Sequence, residues 1–265
     1  MTNALRDQTI RDFGEQWTSY RTNEGYYGSS DLFADVFGPL LDPAALRGAQ
    51  IAEIGSGTGR FIRILLDSGA AAVVAVEPSA AFDVLTAQVS DPRLTCIRAR
   101  GDELQLTNAL DYAFSIGVLH HIPDPHPVVR AMFAALKPGG KIAIWVYGAE
   151  GNSSYLAIAG AARAITTRLP HSILAAVVWM LYWPLTLWMH LSRFLPLPLA
   201  GYLRRVFARL TPDKRRLVVY DQLNPAYAKY YRSEEVRRLL ERAGFIDVQL
   251  YHRHEYSWAA VGRKP

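Results

Sequence analysis

Three glycines at alternate positions lie between two apolar runs in the segment from Ala52 to Phe61. We predict a buried strand, a tight loop at Gly55, Gly57 and Gly59, and then a helix. Glycine permits such a turn and lets a ligand lie directly against the backbone. The helix that follows directs its free N–H groups and positive dipole end at that ligand. The segment therefore predicts a small-molecule site.

The spacing of the glycines in this loop indicates which of two kinds of ligand it binds. A dinucleotide fingerprint, G-x-G-x-x-G, needs a third glycine where this chain has Arg60. Glu53 instead precedes the first glycine by two residues. A carboxylate there repels a pyrophosphate and suits a ligand that carries an ammonium group. The pattern E-x-G-x-G-x-G resembles the class I S-adenosylmethionine-dependent methyltransferases.

This resemblance implies a cofactor and the residues that hold it. Gly55 and Gly57 would line the methionine half of S-adenosyl-L-methionine, and Ser56 and Gly59 belong to the same binding loop. The resemblance also implies that Glu53 orders the loop and lies near the amino end of the cofactor.

Two later strand ends carry acids at positions that the family uses. The second predicted strand ends on Glu77, followed by Pro78, where the family places the acid that binds both ribose hydroxyls. The third predicted strand leads into Asp102 and Glu103. The resemblance implies that Asp102 accepts a hydrogen bond from the adenine amino group, with Glu103 as its neighbour.

The most specific match is the run SIGVLHHIPDP, followed later by LKPGGKIAI, between Ser115 and Ile144. It resembles the ubiquinone-biosynthesis-like branch of the family, with a strand, loop, helix, turn and strand in order. Gly117 ends the fourth strand at the expected cofactor site. His120 and His121 follow, and because imidazole titrates near neutral pH, one of them is the candidate general base. The alternative is that the pair only shapes the loop.

The order of elements predicts an α/β fold with a doubly wound, mainly parallel sheet. The resemblance implies the Rossmann-like methyltransferase fold with seven strands. We divide the chain into an N-terminal cap helix and loop (1–45), a cofactor-binding core (46–150), a helical insertion (151–225), and the closing helix and antiparallel strands of the core (226–265).

The predicted insertion contains both the excess of positive charge and the most apolar stretch. Residues 151–219 carry nine basic residues and one acid, Asp213, and so contribute +8 to a net charge of +5. From Leu169 to Ser192 there is no Asp, Glu, Lys or Arg, a length that falls in the range of a membrane span. A single crossing would put the closing strands on the wrong side of the bilayer. Because Pro184 interrupts the run, we predict a broken helical pair, in-plane or re-entrant.

Two interpretations of the insertion remain open. Its aromatic residues favour the headgroup level and its arginines favour anionic lipid, which predicts a membrane-associating segment. The alternative is a helical lid over the substrate pocket, and a lid that also enters lipid satisfies both. Nucleic acid explains the charge less well, because the basic residues are interleaved with a long apolar run.

Aromatic clusters on both sides of the core are candidates for the acceptor site. We select Tyr26 and Tyr27 before the core, and Tyr220 and Tyr231 after it. The polar N-terminus shows no secretory signal, and the single cysteine, Cys96, cannot form an internal disulfide. No Cys/His metal spacing appears. We therefore expect a metal-free protein in the cytoplasm, peripheral on the cytoplasmic face of the membrane.

The predicted function is O-methylation of a hydrophobic or lipid-linked acceptor at the membrane surface. Quinone-like phenols, lipid-carried sugars and fatty carboxylates are all compatible with the sequence. One alternative keeps the cofactor and assigns soluble small-molecule or glycan chemistry, with the insertion as a lid. Another is a cofactor-binding protein without turnover.

Overall fold

The computed structural model describes residues 2–152, 156, 160, 162–163 and 165–265. Part of the predicted insertion, at 153–155, 157–159, 161 and 164, lies outside the described residues. The strands are β1 Gln50–Ile54, β2 Ala72–Val76, β3 Leu94–Ile97, β4 Leu110–Ile116, β5 Leu136–Tyr147, β6 Ile246–Arg253 and β7 Ser257–Arg263.

These strands form one seven-stranded sheet in the order β3-β2-β1-β4-β5-β7-β6. The pairs from β3 to β5 are parallel, and β7 runs antiparallel to both β5 and β6. The strand order reverses between β1 and β4, which creates the crevice where open α/β sheets bind ligands. The predicted fold class is confirmed. One detail differs, since β5 begins at Leu136 and so includes the turn predicted within the run LKPGGKIAI, at residues 137–140.

Helices cover both faces of the sheet because its central strands alternate between two apolar cores. Ile51 and Phe114 belong to one core, whereas Ala52 and Ala113 belong to the other. The α-helices whose bounds lie in the described part of the chain are α1 Thr2–Ser19, α2 Ser30–Phe37, α3 Arg60–Asp67, α4 Ala81–Gln88, α5 His126–Ala135, α6 His171–Leu191, α7 Ala200–Arg205, α8 Pro212–Leu223 and α9 Ser233–Glu241. Side chains of α5 and α9 fill the second core, and those of α2, α3, α6 and α8 the first.

The apolar stretch of the insertion forms one helix, α6, that continues through Pro184. The prediction of a break at Pro184 is therefore wrong. The chain leaves the helix only after Leu191, near Pro196 and Pro198, and α7 follows. A proline inside a helix removes one backbone hydrogen bond, and packing of the buried face offsets that loss. Among the described helices, α6 has the length and apolar composition to cross a membrane.

Candidate active site

The glycine loop lies where β1 meets the N-terminus of α3. Gly55 and Ser56 donate backbone hydrogen bonds to the Val76 carbonyl at 2.8 and 3.1 Å, which ties the loop to the end of β2. A Cβ added to Gly57 would have only the Trp17 ring near it, at 3.8 Å, so this position is open. A Cβ on Gly59 would instead clash with Leu85 at 2.6 Å. Gly57 thus faces the cavity, and Gly59 allows the loop to pack closely on α4.

The carboxylate of Glu77 joins the first two strand ends. It accepts hydrogen bonds from the Gly57 N–H at 2.8 Å and from the Ser79 N–H at 2.9 Å. Both strands end at the same edge of the sheet because they are parallel. Glu77 therefore organises the glycine loop, a role that the sequence did not reveal, and it also lines the cavity beside Pro78.

Glu53 is a buried acid at the base of the loop. Its Oε2 atom has no hydrogen-bond partner among the described residues. Burial raises its pKa from 4.5 to about 8, Arg60 opposes this, and the nearby Glu77 adds to it. A buried carboxyl without a partner is costly, so the site is arranged for a cationic or hydrogen-bonding ligand group.

We expect the contribution of Glu53 to the stability of the ligand-free protein to fall as the pH rises from 4.5 to 8. In this range the folded chain keeps the Glu53 proton and the unfolded chain has lost it, so folding must take up a proton. The loss is at most about 1.4 kcal/mol per pH unit. Urea unfolding across this range should show that the free energy of unfolding of Glu53→Gln rises with pH relative to that of the unmodified chain. The exposed Glu241→Gln should leave the profile unchanged, and identical slopes for all three proteins would contradict the shift.

The two acids after β3 lie in different places. Asp102 lines the cavity, and Arg100 donates two hydrogen bonds to it at 2.9 and 3.0 Å. These bonds hold the pKa of Asp102 below its ordinary value. Glu103 is not among the residues that line the cavity, and its carboxylate accepts from the Arg100 N–H at 2.9 Å. The structure thus brings Asp102, and not Glu103, to the cavity that the glycine loop lines.

The cavity, of about 1290 Å³, extends from the glycine loop to the insertion. Its lining contains the predicted cofactor-loop residues Gly55, Ser56 and Gly57, and also Gly117. At the far end its lining is largely apolar and comes from the insertion, with Leu181, Leu185, Trp188, Leu199, Leu203, Val206, Phe207 and Leu210. One continuous space thus connects a polar loop with an apolar pocket.

The two histidines have different environments. His121 lines the cavity, whereas His120 lies behind it, with its ring 3.8 Å from the Tyr147 ring. Neither ring nitrogen of His120 has a hydrogen-bond partner among the described residues, and burial holds its pKa well below the ordinary value. Burial also lowers the pKa of His121 to about 4, against the opposing influence of Asp221. Both rings are therefore neutral near pH 7.

Only one of the four candidate tyrosines lines the cavity. Tyr27 does so, with the Arg60 guanidinium 4.4 Å from its ring centre. Tyr26 donates to Asp35 at 3.2 Å, and Tyr220 shares a hydrogen bond with the His171 ring at 2.6 Å. Tyr231 is buried, and its hydroxyl has no partner among the described residues.

Several lining residues were not selected from the sequence. They include Trp145, Tyr147, Tyr202, Asp221, Gln222 and Tyr230. Tyr147 lies at the carboxyl end of β5, next to β4, and this position in the sequence could have identified it as a lining residue. Asp221 and Gln222 lie on α8, and sequence spacing says nothing about the side of the core to which that helix packs.

Comparisons with known proteins agree with this geometry. Residues 52–144 match a family model described as a methyltransferase domain. An uncharacterized methyltransferase of Mycobacteroides abscessus is 32% identical over 166 residues, which are 56% of this chain and 63% of that protein. A tRNA U34 carboxymethyltransferase of Pseudoalteromonas atlantica is 28% identical over 121 residues, 44% of this chain and 37% of that protein. The chain thus spans less than two thirds of the length of these curated relatives.

A solved structure shows the same fold over the whole chain. It is the 1,6-didemethyltoxoflavin-N1-methyltransferase of Burkholderia thailandensis, with bound 1,6-didemethyltoxoflavin and S-adenosylhomocysteine. The TM-score is 0.56 at 17% identity, with 100% of this chain and 90% of that chain covered. Similarity at this identity concerns the fold alone.

Proposed function

The chain carries a class I S-adenosylmethionine-dependent methyltransferase domain, and we propose that it methylates an oxygen atom of an apolar or lipid-linked acceptor at a membrane surface. The observation that carries the proposal is the double role of α6. One face of this helix lines the cavity, and other side chains of the same helix are exposed and apolar.

The cofactor of the domain is S-adenosyl-L-methionine, and the residues at the loop fit it. When bound, it supplies an electrophilic methyl group. The partnerless Oε2 of Glu53 suits its ammonium group, and the open side of Gly57 leaves room for its chain. We assign Glu77 and Asp102, which also line the cavity, to the ribose and adenine. Because both carboxylates keep further lone pairs, their present hydrogen bonds do not prevent these contacts.

We assign the acceptor's proton to His121 rather than to His120. The Nδ1 atom of His121 lies 2.9 Å from the Tyr227 carbonyl oxygen, which can only accept a hydrogen bond. In the neutral ring, Nδ1 therefore carries the proton and Nε2 carries the lone pair. A pKa of about 4 keeps this lone pair free at neutral pH, although it makes the ring a weak base. Phe13 of α1 packs against the ring at 4.7 Å and helps to fix its orientation.

The exposed apolar side chains of α6 and the following turn form one surface, which we call the insertion surface. Its members are Trp179, Met180, Trp183, Leu187, Leu191, Phe194 and Leu195, with exposed fractions of 58% for Trp183 and 84% for Phe194. A soluble domain rarely exposes so many large apolar groups side by side. Tryptophan and phenylalanine on such a surface favour the lipid headgroup boundary.

Exposed arginines lie in the same part of the chain. Arg193, Arg204 and Arg205 are exposed, and they match the charge of anionic lipid headgroups. Lys214 is buried, and Arg215 donates to the Phe207 carbonyl at 3.1 Å, so the structure removes these two from the basic residues available to lipid. The arginines would also attract RNA, and the name of one relative includes tRNA. The apolar side chains among the arginines favour lipid instead.

We expect the chain to bind vesicles of phosphatidylcholine with phosphatidylserine more tightly than vesicles of phosphatidylcholine alone. A Trp179→Glu/Trp183→Glu double variant should bind them at least about tenfold more weakly, because two anchoring rings are replaced by carboxylates. Vesicle flotation measures this. Ile246→Glu, which changes a partly exposed apolar residue on β6, is the matched control. Equal flotation of the double variant and the unmodified chain would contradict the membrane proposal.

One observation supports the soluble small-molecule alternative. Side chains of α6 line the cavity, as those of a lid over a substrate pocket would. Incubation with isotopically labelled cofactor separates the possibilities. Label in the organic phase of a total membrane-lipid extract supports a lipid-linked acceptor. Label only in products of an aqueous metabolite extract supports the soluble alternative. Cofactor binding without any labelled product supports a protein without turnover.

A further inference from the structure

A chain of hydrogen bonds crosses the wall of the cavity and ends on Asp221. Arg163 donates to the Tyr230 hydroxyl at 3.1 Å, and Tyr230 donates to Gln222 Oε1 at 3.1 Å. Gln222 Nε2 donates to the Tyr147 hydroxyl at 2.8 Å, and Tyr147 donates to Asp221 Oδ2 at 2.5 Å. Every donor in this chain points towards Asp221. Each bond polarises the next, so the arrangement stabilises negative charge on that carboxylate.

A second chain reaches the other oxygen of the same carboxylate. Asn224 Nδ2 donates to Gln16 Oε1 at 3.2 Å, and Gln16 Nε2 donates to Asp221 Oδ1 at 3.0 Å. Both direct donors to Asp221 are neutral groups. Among the described residues, none forms an ion pair with Asp221. The carboxylate is thus held in place by two networks and has no direct cationic partner among the described residues, since Arg163 reaches it only through intervening tyrosine and glutamine side chains.

Asp221 lies in the wall of the cavity, near His121. It lines the cavity together with Tyr147 and Gln222. Burial is the main influence on the pKa values of His121 and Tyr202, two other lining residues, and the charge of Asp221 is a further influence on each. A single carboxylate therefore acts on rings that belong to different elements around the same space.

Three arginines that line the cavity do not pair with Asp221. Arg253 donates to Asp35 Oδ2 at 3.0 Å, and Arg100 is paired with Asp102. Arg60 lies at the glycine-loop end, with its guanidinium 4.1 Å from the Phe61 ring centre. A carboxylate without a direct cationic partner in a largely apolar space is costly, and such groups are concentrated at functional sites.

We propose that Asp221 determines the specificity of the acceptor site: on binding it accepts a hydrogen bond from an uncharged, hydroxyl-bearing head group, before the hydroxyl proton passes to His121, and it excludes a carboxylate. This inference rests on the proposed function and narrows its acceptor class. Each carboxylate oxygen has two lone pairs, so both keep one for the acceptor after the bonds from Gln16 and Tyr147. A second carboxylate would be repelled at short range in this poorly solvated space. Phenols and sugar hydroxyls therefore fit, and fatty carboxylates do not.

Two probes of matched shape test this preference without any need for turnover. 4-Nonylphenol and 4-nonylbenzoate carry the same apolar chain. At pH 7.5 the first has a neutral hydroxyl group, and the second has an anionic carboxylate. Their dissociation constants are measured by calorimetry on the full chain in the presence of saturating S-adenosylhomocysteine. The unmodified chain should bind the phenol at least about tenfold more tightly than the benzoate.

The variants assign that preference to Asp221. Asp221→Asn keeps the shape and removes the charge, and the ratio of the two affinities should shift towards the benzoate by about tenfold or more. Asp213→Asn changes an acid at the start of the same helix that is half exposed, and it should leave the ratio unchanged. A purely structural Asp221 would alter both affinities together, and would not alter their ratio.

The outcomes separate this inference from the proposal on which it rests. Equal affinity for the two probes in the unmodified chain, or an unchanged ratio in Asp221→Asn, would overturn the role of Asp221 alone. Binding of S-adenosylhomocysteine without binding of either probe would overturn the apolar acceptor itself. If Asp221→Asn does not fold, the affinities of the unmodified chain still test the inference, because tighter binding of the benzoate than of the phenol would contradict it directly.

Discussion

Arginine in place of Gly57 should abolish binding of S-adenosylhomocysteine. Gly57 has a φ of +53°, and its open side faces Trp17 across the cavity lining. A long side chain built on this position would occupy the space between the loop and the ring of Trp17. It would also bring a guanidinium towards the ammonium group that we place near Glu53. Steric exclusion and charge repulsion therefore act in the same direction.

Calorimetry with S-adenosylhomocysteine measures this effect, and we expect a loss of at least about 100-fold in affinity. Gly139→Arg is the matched control. Gly139 also has a positive φ, of +80°, with no atom near an added Cβ, and it lies at the opposite end of the sheet. It therefore reproduces the backbone strain without filling the site. Full affinity in Gly57→Arg would remove the assignment of the loop to the cofactor.

Replacing His121 by asparagine should lower turnover about 100-fold. An asparagine amide can still donate to the Tyr227 carbonyl, as Nδ1 of the imidazole does, but it lacks the Nε2 lone pair. The substitution thus keeps the local bond and removes the proposed proton acceptor. His120→Asn should have a smaller effect on turnover, since His120 does not line the cavity.

Transfer of labelled methyl groups into a membrane-lipid extract measures turnover of both variants. Affinity for S-adenosylhomocysteine reports whether the cofactor site is intact. If His121→Asn keeps the full rate while His120→Asn loses it, the histidines shape the loop and do not take the proton. That result would favour the loop-shaping alternative, in which the stacking of His120 on Tyr147 orders the wall of the cavity.

The methyltransferase domain could be predicted because its signals are local in sequence. The loop glycines are separated by single residues, and Glu53 lies on the strand that precedes them. Parallel strands then bring the residues after β1, β2 and β4 to one edge of the sheet, whatever the details of packing. For this reason the fold class, the enzyme class and the cofactor followed from short motifs.

Residues on helices of the insertion and of the flanks were harder to predict. Tyr26 and Tyr220 look as suitable as Tyr27 in the sequence, yet only Tyr27 lines the cavity. The position of a helical side chain depends on how its helix rotates and packs, and no short motif encodes this. Pro184 was misread for a related reason, since packing of the buried face of α6 outweighs the local cost of a proline.

By itself, the sequence determined the sheet, the glycine loop, the acids at the strand ends and the presence of an apolar, basic segment. Only the tertiary structure decided which histidine reaches the cavity, that Glu77 holds the loop, and that two hydrogen-bond chains end on Asp221. The physical reason is the range of the interactions. Turns and strand ends depend on neighbouring residues, whereas the cavity wall around Asp221 joins α1, β5 and α8, which are far apart in the chain.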